Sequence, residues 1–213
     1  RNYPRNKILA NFAGELIQTD LCDMMRFKHE NDGYVYIFMS TDTYSKYIVC
    51  TPMKANNTEA VILGLEHLVK TAPFKVHTIY SDSERAILAH NTQTWLKKHQ
   101  INHYTTTSKV KSPQIERLIR TWRLMVQRHF EATLSNKWLS FLPIFVKNYN
   151  ERMHFTTKQA PQDLVNNPLL VPMTNEAKSK TYKNAAKIGD FVRLNRLRDF
   201  TQKEASGNNA TRS

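Results

Sequence analysis

The order of strand-like and helical segments constrains the fold of this chain most. Three consecutive segments rich in β-branched and aromatic residues are joined by short turns: residues 14–24, 34–42 and 44–53. This order favours an antiparallel meander. A helical pattern at residues 58–70 precedes a fourth strand at 75–82, so that strand can pair parallel to an earlier one. A short helix and a fifth strand follow within residues 91–106. We therefore predict an α/β fold with a mixed five-stranded sheet flanked by helices.

Length and charge limit the function classes. A chain of 213 residues with 40% hydrophobic residues can bury one principal core. Its 31 Lys and Arg against 18 Asp and Glu give a formal net charge of +13, which indicates a polyanionic partner, with nucleic acid favoured. The basic residues cluster along 109–128 and 178–203. A membrane surface and a solvated basic face without a partner stay open, because charge alone does not exclude them.

The chain carries no apolar run of the roughly 20 residues that a membrane span needs, and it does not open with a secretory signal. These features predict a soluble, intracellular protein that does not act in a membrane. Cys22 and Cys50 form no Cys-x-x-Cys pair, so we expect two buried core residues instead of a zinc site.

A long helix is predicted from Pro113. Ser112 suits the N-cap position, and Pro113 suits the first helical position because its missing N–H leaves no bond unmade there. Apolar residues then recur at helical spacing and predict the buried stripe: Ile115, Leu118, Ile119, Trp122, Val126 and Phe130.

Glu116 is an acidic residue within this basic helix. Steps of three and four residues place it on one polar face with Arg120 and Arg123. The helix N-terminus and the arginines both favour an ionised carboxylate. A simple ion pair between Glu116 and Arg120, worth a few tenths of a kcal/mol, is the structural alternative.

Three carboxylates are expected at one edge of the sheet. Asp20 lies in the first strand, Asp82 ends the fourth strand, and Glu116 begins the long helix. Such a group is repulsive unless a cation lies within it, and hard cations with oxygen ligands, Mg²⁺ or Mn²⁺, suit it. Two ions about 3.5 to 4 Å apart can hold the attacking and leaving oxygens of a phosphoryl displacement.

Other charged residues are assigned by position. Asp23 lies three residues after Asp20 and should point to the opposite sheet face, and Asp42 should cap a turn. Glu84 and Glu151 are expected at the surface. Five basic residues are candidates for DNA phosphate contacts, although an ordinary basic helix face is the alternative for them: Lys109, Lys111, Arg117, Arg120 and Arg123.

The segments "IQTDLCDM", "TDTYSKYIVCTPM", "IYSD" and "SPQIERLIRTWR" resemble the retroviral-type integrase catalytic core, an RNase H-like fold with an Asp, Asp, Glu triad. The 33 residues between Asp82 and Glu116 resemble the spacing in Maverick or Polinton transposon integrases and their viral relatives. "VKNYNERMHFTTKQAPQDL" resembles the end of that core, and "KIGDFVRL" resembles the start of a small C-terminal β-barrel.

This resemblance implies a metal-dependent polynucleotidyl transferase. Asp20, Asp82 and Glu116 would be both the catalytic residues and the ligands of two Mg²⁺ or Mn²⁺ ions. The enzyme would process the 3′ end of element DNA and join it to target DNA. Its partners would be double-stranded DNA and further copies of itself, as a dimer or tetramer. Its location would be the nucleus, or a virus particle if the element is viral.

The same comparison implies a domain order. Residues 1–12 would be an extended lead-in, 13–165 the catalytic core, 166–186 a linker, and 187–213 the start of the barrel or a tail. The segment "SDSERAI" after the second acid lacks the glycine and phenylalanine usual in the family. A weakened, domesticated DNA-binding or assembly protein is therefore an alternative, and a nuclease that cleaves RNA·DNA hybrids is another.

Overall fold

The computed structural model describes residues 8–82, 85–106, 113–167 and 169–172. All of them belong to one compact unit, Arg1–Asn175; a second unit comprises Glu176–Ser213. The predicted barrel at 187–213 and most of the predicted linker at 166–186 lie outside the described residues, so the predicted domain limits stay predictions.

Within the described residues, five strands form one mixed sheet in the order β3-β2-β1-β4-β5. The strands are β1 (Ile17–Asp23), β2 (Tyr36–Asp42), β3 (Ile48–Met53), β4 (Thr78–Asp82) and β5 (Asn102–Thr106). The helices are α1 (Thr58–Thr71), α2 (Arg85–Leu88), α3 (His90–Lys98), α4 (Pro113–Thr133), α5 (Leu142–Glu151) and α6 (Pro161–Asn166). β1, β2 and β3 are antiparallel, and β4 runs parallel to both β1 and β5. The predicted mixed sheet is confirmed.

The sheet separates two apolar clusters. One lies under α4 and α5 and includes Cys22, Met39 and Trp122, and the other lies under α1 and α3 and includes Ile17 and Ile79. This division follows from strand alternation, because successive side chains point to opposite faces. Five of the six residues of the predicted α4 stripe are buried, and the sixth, Phe130, is partly buried against the same cluster. Both cysteines are buried and free, as expected.

Three local features define the ends of the elements. The polar stretch before β2 contains a short 3-10 helix, Met25–Glu30. The N-cap of α1 is Asn57, whose extended backbone lets its side chain accept a hydrogen bond from the Ala60 N–H at 3.0 Å. Pro143 stands in the first turn of α5, where it is tolerated.

Asn150 joins the end of α5 to the edge strand β3. Its Oδ1 accepts from the Ile48 N–H at 2.9 Å, and its Nδ2 donates to the Ile48 carbonyl at 2.9 Å. Asn150 is buried, so this pair satisfies backbone groups that water does not reach. The contact fixes the C-terminal end of α5 beside the turn between β2 and β3. Among the described residues, no helix is both long and apolar enough to cross a bilayer.

Candidate active site

Asp20 and Asp82 lie on neighbouring parallel strands. β1 pairs with β4 through Gln18 opposite Tyr80 and Thr19 opposite Ser81, and one further step in this register sets Asp20 beside Asp82. Both carboxylates leave the sheet on the α4 side. Cys22 faces α4, and Asp20, two residues earlier in the strand, points to the same face. Ile79 faces α1, and Asp82, three residues later, points to the opposite face, toward α4.

Helix α4 lies along β1 on this face. The Gln114 N–H donates to Gln18 Oε1 at 3.3 Å near the start of both elements. Nine residues later in α4, the Arg123 guanidinium is close enough to oppose the raised pKa of the Cys22 thiol, and Cys22 stands four residues after Gln18 in β1. Nine helical residues rise about 13.5 Å and four strand residues about 13 Å, so the two contacts are consistent with α4 and β1 running side by side.

Charged groups surround Asp20. Its Oδ1 accepts from the Leu21 N–H at 2.8 Å. Burial raises the pKa of the neighbouring Cys22 thiol to about 11, the Arg123 guanidinium opposes that shift, and the charges of Asp20 and Asp23 add to it. Cys22 is therefore a neutral thiol at pH 7, and the Arg123 guanidinium lies near it.

Glu116 lies in the first turn of α4 and is exposed. The described residues include no group of three His, Cys, Asp or Glu side chains placed to hold a metal ion. The structure thus brings Asp20 and Asp82 together, and it does not gather Glu116 with them into one ligand group. Residues 83–84 and 107–112, which adjoin Asp82 and Glu116 in the chain, lie outside the described residues. The role of the triad stays a prediction.

The candidate DNA-binding residues divide between two places. Arg123 approaches β1, whereas Arg117 lines a pocket between α4 and α5. Arg120 is exposed on α4, and Lys109 and Lys111 lie outside the described residues. The contacts of all five residues with DNA stay predictions.

Two of the remaining acids, Asp23 and Asp42, accept hydrogen bonds, and Glu151 is exposed at the end of α5, as expected. Asp23 Oδ1 accepts from the Met25 N–H at 2.7 Å. Asp42 accepts from the Gly14 N–H at 3.0 Å, and from the Ser45 N–H and hydroxyl at 2.7 and 2.6 Å. Burial raises the pKa of Asp42, and the Ser45 hydrogen bonds oppose that shift. The predicted turn-capping role of Asp42 is confirmed. Glu84 lies outside the described residues.

A hydrogen-bonded chain behind Asp82 was not predicted from the sequence. Gln93 Nε2 donates to the Ile87 carbonyl at 2.7 Å and to His103 Nδ1 at 3.0 Å. Because Nδ1 accepts, the ring proton of neutral His103 lies on Nε2, 2.9 Å from Ser81 Oγ. The Ser81 hydroxyl in turn donates to the Asp82 carbonyl at 3.0 Å. The chain links α2 and α3 to the end of β4, where Asp82 is held.

Protonation of His103 should weaken this chain. Burial lowers the pKa of His103 below 6.5, its ordinary value, so the folded protein keeps the ring neutral while the unfolded chain takes up a proton. Stability is therefore lost as pH falls through about 6.5, by up to about 1.4 kcal/mol per pH unit for this group. We expect His103→Leu to flatten the change in unfolding free energy between pH 7 and pH 5.5, measured by urea denaturation.

Two other histidines set the baseline for that measurement. His67 and His154 also have a pKa lowered by burial, so some pH dependence will persist in the His103 variant. His29 is exposed, and His29→Leu serves as the matched control for the loss of one imidazole ring. An identical slope in wild type and His103→Leu would contradict the proposed neutral state.

Comparisons with known proteins show what this chain is similar to. Residues 10–109, which include Asp20 and Asp82, are similar to the integrase core domain family. Glu116 follows the matched segment. A curated relative, an uncharacterised transposon-derived protein of Caenorhabditis elegans, is 23% identical over 171 residues, and the match covers 80% of this chain. The chain spans 58% of the length of that relative.

Solved structures show the same fold. A chain of the simian T-cell lymphotropic virus intasome, solved with a PP2A regulatory subunit, matches with a TM-score of 0.70 and 18% identity over 86% of this chain and 65% of that one. The HTLV-2 integrase catalytic core, solved with magnesium in dimeric and trimeric forms, matches with a TM-score of 0.60 and 13% identity over 72% of this chain and 97% of that one. The expected RNase H-like integrase fold is confirmed, and the affinity to Maverick or Polinton elements stays a prediction.

Proposed function

We propose that this chain is a metal-dependent polynucleotidyl transferase that processes 3′ DNA ends and joins them to target DNA. The observation that supports the proposal most is the placement of Asp20 beside Asp82 on the face of the sheet that α4 covers. Two carboxylates at adjacent positions of parallel strands form a compact set of hard oxygen donors. Mg²⁺ and Mn²⁺ are the ions that such donors fit.

The roles of the chain's own residues follow from their positions. Asp20 and Asp82 would hold the ion or ions, and Glu116 would complete the ligand set from α4. When bound, one or two such ions neutralise phosphate charge and make a water or hydroxyl more nucleophilic. Arg123 would contact a DNA phosphate close to the carboxylates, and the bond between Gln114 and Gln18 keeps α4 in place. Positioning and charge neutralisation carry this reaction, and no covalent protein intermediate is needed.

Partners and location are part of the proposal. The relatives with solved structures include an intasome and dimeric and trimeric forms of a catalytic core. We infer that this chain also acts as a homo-oligomer on double-stranded DNA. A protein that joins element DNA to a genome would act in the nucleus.

A second candidate function is DNA binding or assembly without catalysis. Two observations favour it: Glu116 is exposed and belongs to no three-residue ligand group among the described residues, and "SDSERAI" departs from the family after Asp82. Under this alternative the basic surface would still bind DNA. The fold would serve as a scaffold.

Nicking of supercoiled plasmid separates the two candidates. The assay detects phosphodiester cleavage at any sequence, so it does not need the cognate DNA end. We expect the 213-residue chain to convert supercoiled plasmid to open circle with Mn²⁺ or Mg²⁺ and not with EDTA. DNA binding without nicking in any divalent metal would contradict the enzymatic proposal and support the second candidate. Cleavage of an RNA·DNA hybrid with no action on DNA would instead indicate a hybrid-specific nuclease.

A further inference from the structure

A second, larger pocket lies between α4 and α5. Its volume is about 690 Å³, a size typical of small-ligand sites. Arginine, aromatic and methionine side chains line it, among them Arg117, Met153, His154 and Phe155, together with Glu151. Neither the pairing of Asp20 with Asp82 nor the predicted triad uses these residues.

Lys46 supplies a further cation next to this pocket. It belongs to the turn between β2 and β3, and Asn150 of α5 bonds the first residue of β3 directly after this turn. The charge of Lys46 interacts with Arg117 and His154 of the pocket wall. Its Nζ donates to the Thr43 carbonyl at 2.5 Å. The positive charges of Lys46 and Arg117 repel each other, so they favour an anion in their neighbourhood.

Two features of Lys46 oppose stability. Its φ of 69° lies in the left-handed region, where a side chain other than glycine is strained. Burial also lowers the pKa of Lys46 to about 8, with the Arg117 charge contributing and the Asp42 carboxylate opposing. A strained and partly desolvated cation is unfavourable for the fold alone. Residues of this kind concentrate at functional sites.

An unusually exposed aromatic ring borders the same pocket. Phe155 is 81% exposed, and Met153 beside it is 66% exposed. The Lys158 ammonium lies 4.0 Å from the centre of the Phe155 ring, so the ring is flanked by positive charge. Exposed aromatic rings next to cations are typical of sites where unpaired bases stack while their phosphates are neutralised.

We propose that the pocket between α4 and α5 binds an unpaired nucleotide of a DNA strand. The phosphate would lie near Lys46 and Arg117, and the base would stack on Phe155. A concave site of this size is large enough for a single nucleotide. The proposal rests on the proposed function in one respect only, which is the source of the unpaired strand. Arg117 directly follows the predicted catalytic residue Glu116 in α4, so the strand would be the DNA that this site acts on.

Fluorescence anisotropy with a labelled single-stranded oligothymidylate tests this site. The assay uses the full chain in EDTA, so it is independent of nicking. We expect Phe155→Ala to weaken single-strand binding about fivefold or more. We expect Lys46→Gly to weaken it as well, and to reduce the slope of log affinity against log salt by about 0.7, because one phosphate contact is lost. The affinity for the matching duplex should change less than about twofold in both variants.

Stability provides a second measurement on the same variant. Glycine relieves the left-handed strain and removes the buried charge, so Lys46→Gly should melt about 2 to 4 °C higher than wild type while binding single strands more weakly. Gln100 also has a positive φ, 56°, but lies outside the pocket. Gln100→Gly is the matched control that should relieve strain without changing binding. Leu134→Ala, at a side chain that is 93% exposed, is the control for Phe155→Ala.

Three results would overturn the proposal. Wild-type affinity for single strands in both pocket variants would show that the pocket takes no nucleotide. Equal losses for single strands and duplex would show an unspecific contribution to DNA binding. Loss of affinity for an acidic, tryptophan-containing peptide, with oligothymidylate binding unchanged, would assign the pocket to a protein partner. Each of these outcomes can occur whether or not the plasmid is nicked.

Discussion

Replacing Asp82 by Asn is expected to reduce metal-dependent plasmid nicking by more than about 100-fold, since even the outer partners of metal ligands contribute about 10- to 100-fold. The amide keeps the size of the side chain but removes the charge that a divalent cation requires. Asp20→Asn and Glu116→Gln should have the same effect. DNA affinity in EDTA should stay within about twofold of wild type, because removing a carboxylate does not weaken a basic surface.

Asp23→Asn is the matched control for these variants. Asp23 also belongs to β1, but it is exposed and its carboxylate accepts a bond from the Met25 backbone. We expect its nicking rate to stay within about threefold of wild type. Residues that act as one unit give non-additive losses, so Asp20→Asn combined with Asp82→Asn should be no worse than either alone. Full nicking by Asp82→Asn, or equal loss in Asp23→Asn, would contradict the assignment.

The responses of the three acids to substitution can also differ. Asp20 and Asp82 are neighbours in the structure, whereas Glu116 is exposed on α4. If Glu116→Gln alone retains nicking, the third ligand is another group, and the two-aspartate part of the site stands. The variants at Asp20 and Asp82 therefore test the pair of acids that are neighbours in the structure. The Glu116 variant separately tests the third acid, which was proposed from the sequence.

The elements of this fold were predictable because their signals are local. The apolar residues of α4 recur every three or four positions, and the buried stripe that they define includes Ile115 and Trp122. The strands are likewise marked by β-branched residues between turn formers. Residue alternation within β1 also separated Asp20 from Asp23 correctly, because strand periodicity alone assigns residues to faces.

The pairing of distant segments was not predictable in the same way. Nothing in the sequence of β4 states which of its residues lies beside Asp20, and a slip of one residue would send Asp82 to the other face. The chain from Gln93 through His103 to Ser81 depends on that register. The strained position of Lys46 depends on the turn geometry, which the pattern "TYSKY" did not reveal. The sequence placed the arginines of α4 on a helix, but only packing separated Arg117 from Arg123.

The largest stability effect is expected at Trp122, on which the placement of α4 depends. The side chain is fully buried, with ring centres 5.0 Å from Phe145, 5.9 Å from Phe141 and 6.5 Å from Trp138. Trp122→Ala should lower the free energy of unfolding by about 3 to 5 kcal/mol, from lost burial and the cavity left behind. That is a large part of the roughly 5 to 15 kcal/mol that stabilises a typical domain.

Urea denaturation of Trp122→Ala and two companion variants tests this effect. Leu124 lies on the same helix but is 54% exposed, so Leu124→Ala should change the unfolding free energy by no more than about 0.5 kcal/mol. Trp122→Phe keeps an aromatic ring in the cluster and should lose less than the alanine variant, so a comparison remains if Trp122→Ala does not fold. Because Trp122 anchors the helix that carries Glu116 and Arg123, Trp122→Phe should also slow nicking more than Leu124→Ala does. A loss below about 1 kcal/mol in Trp122→Ala would show that α4 is held to the sheet by other contacts.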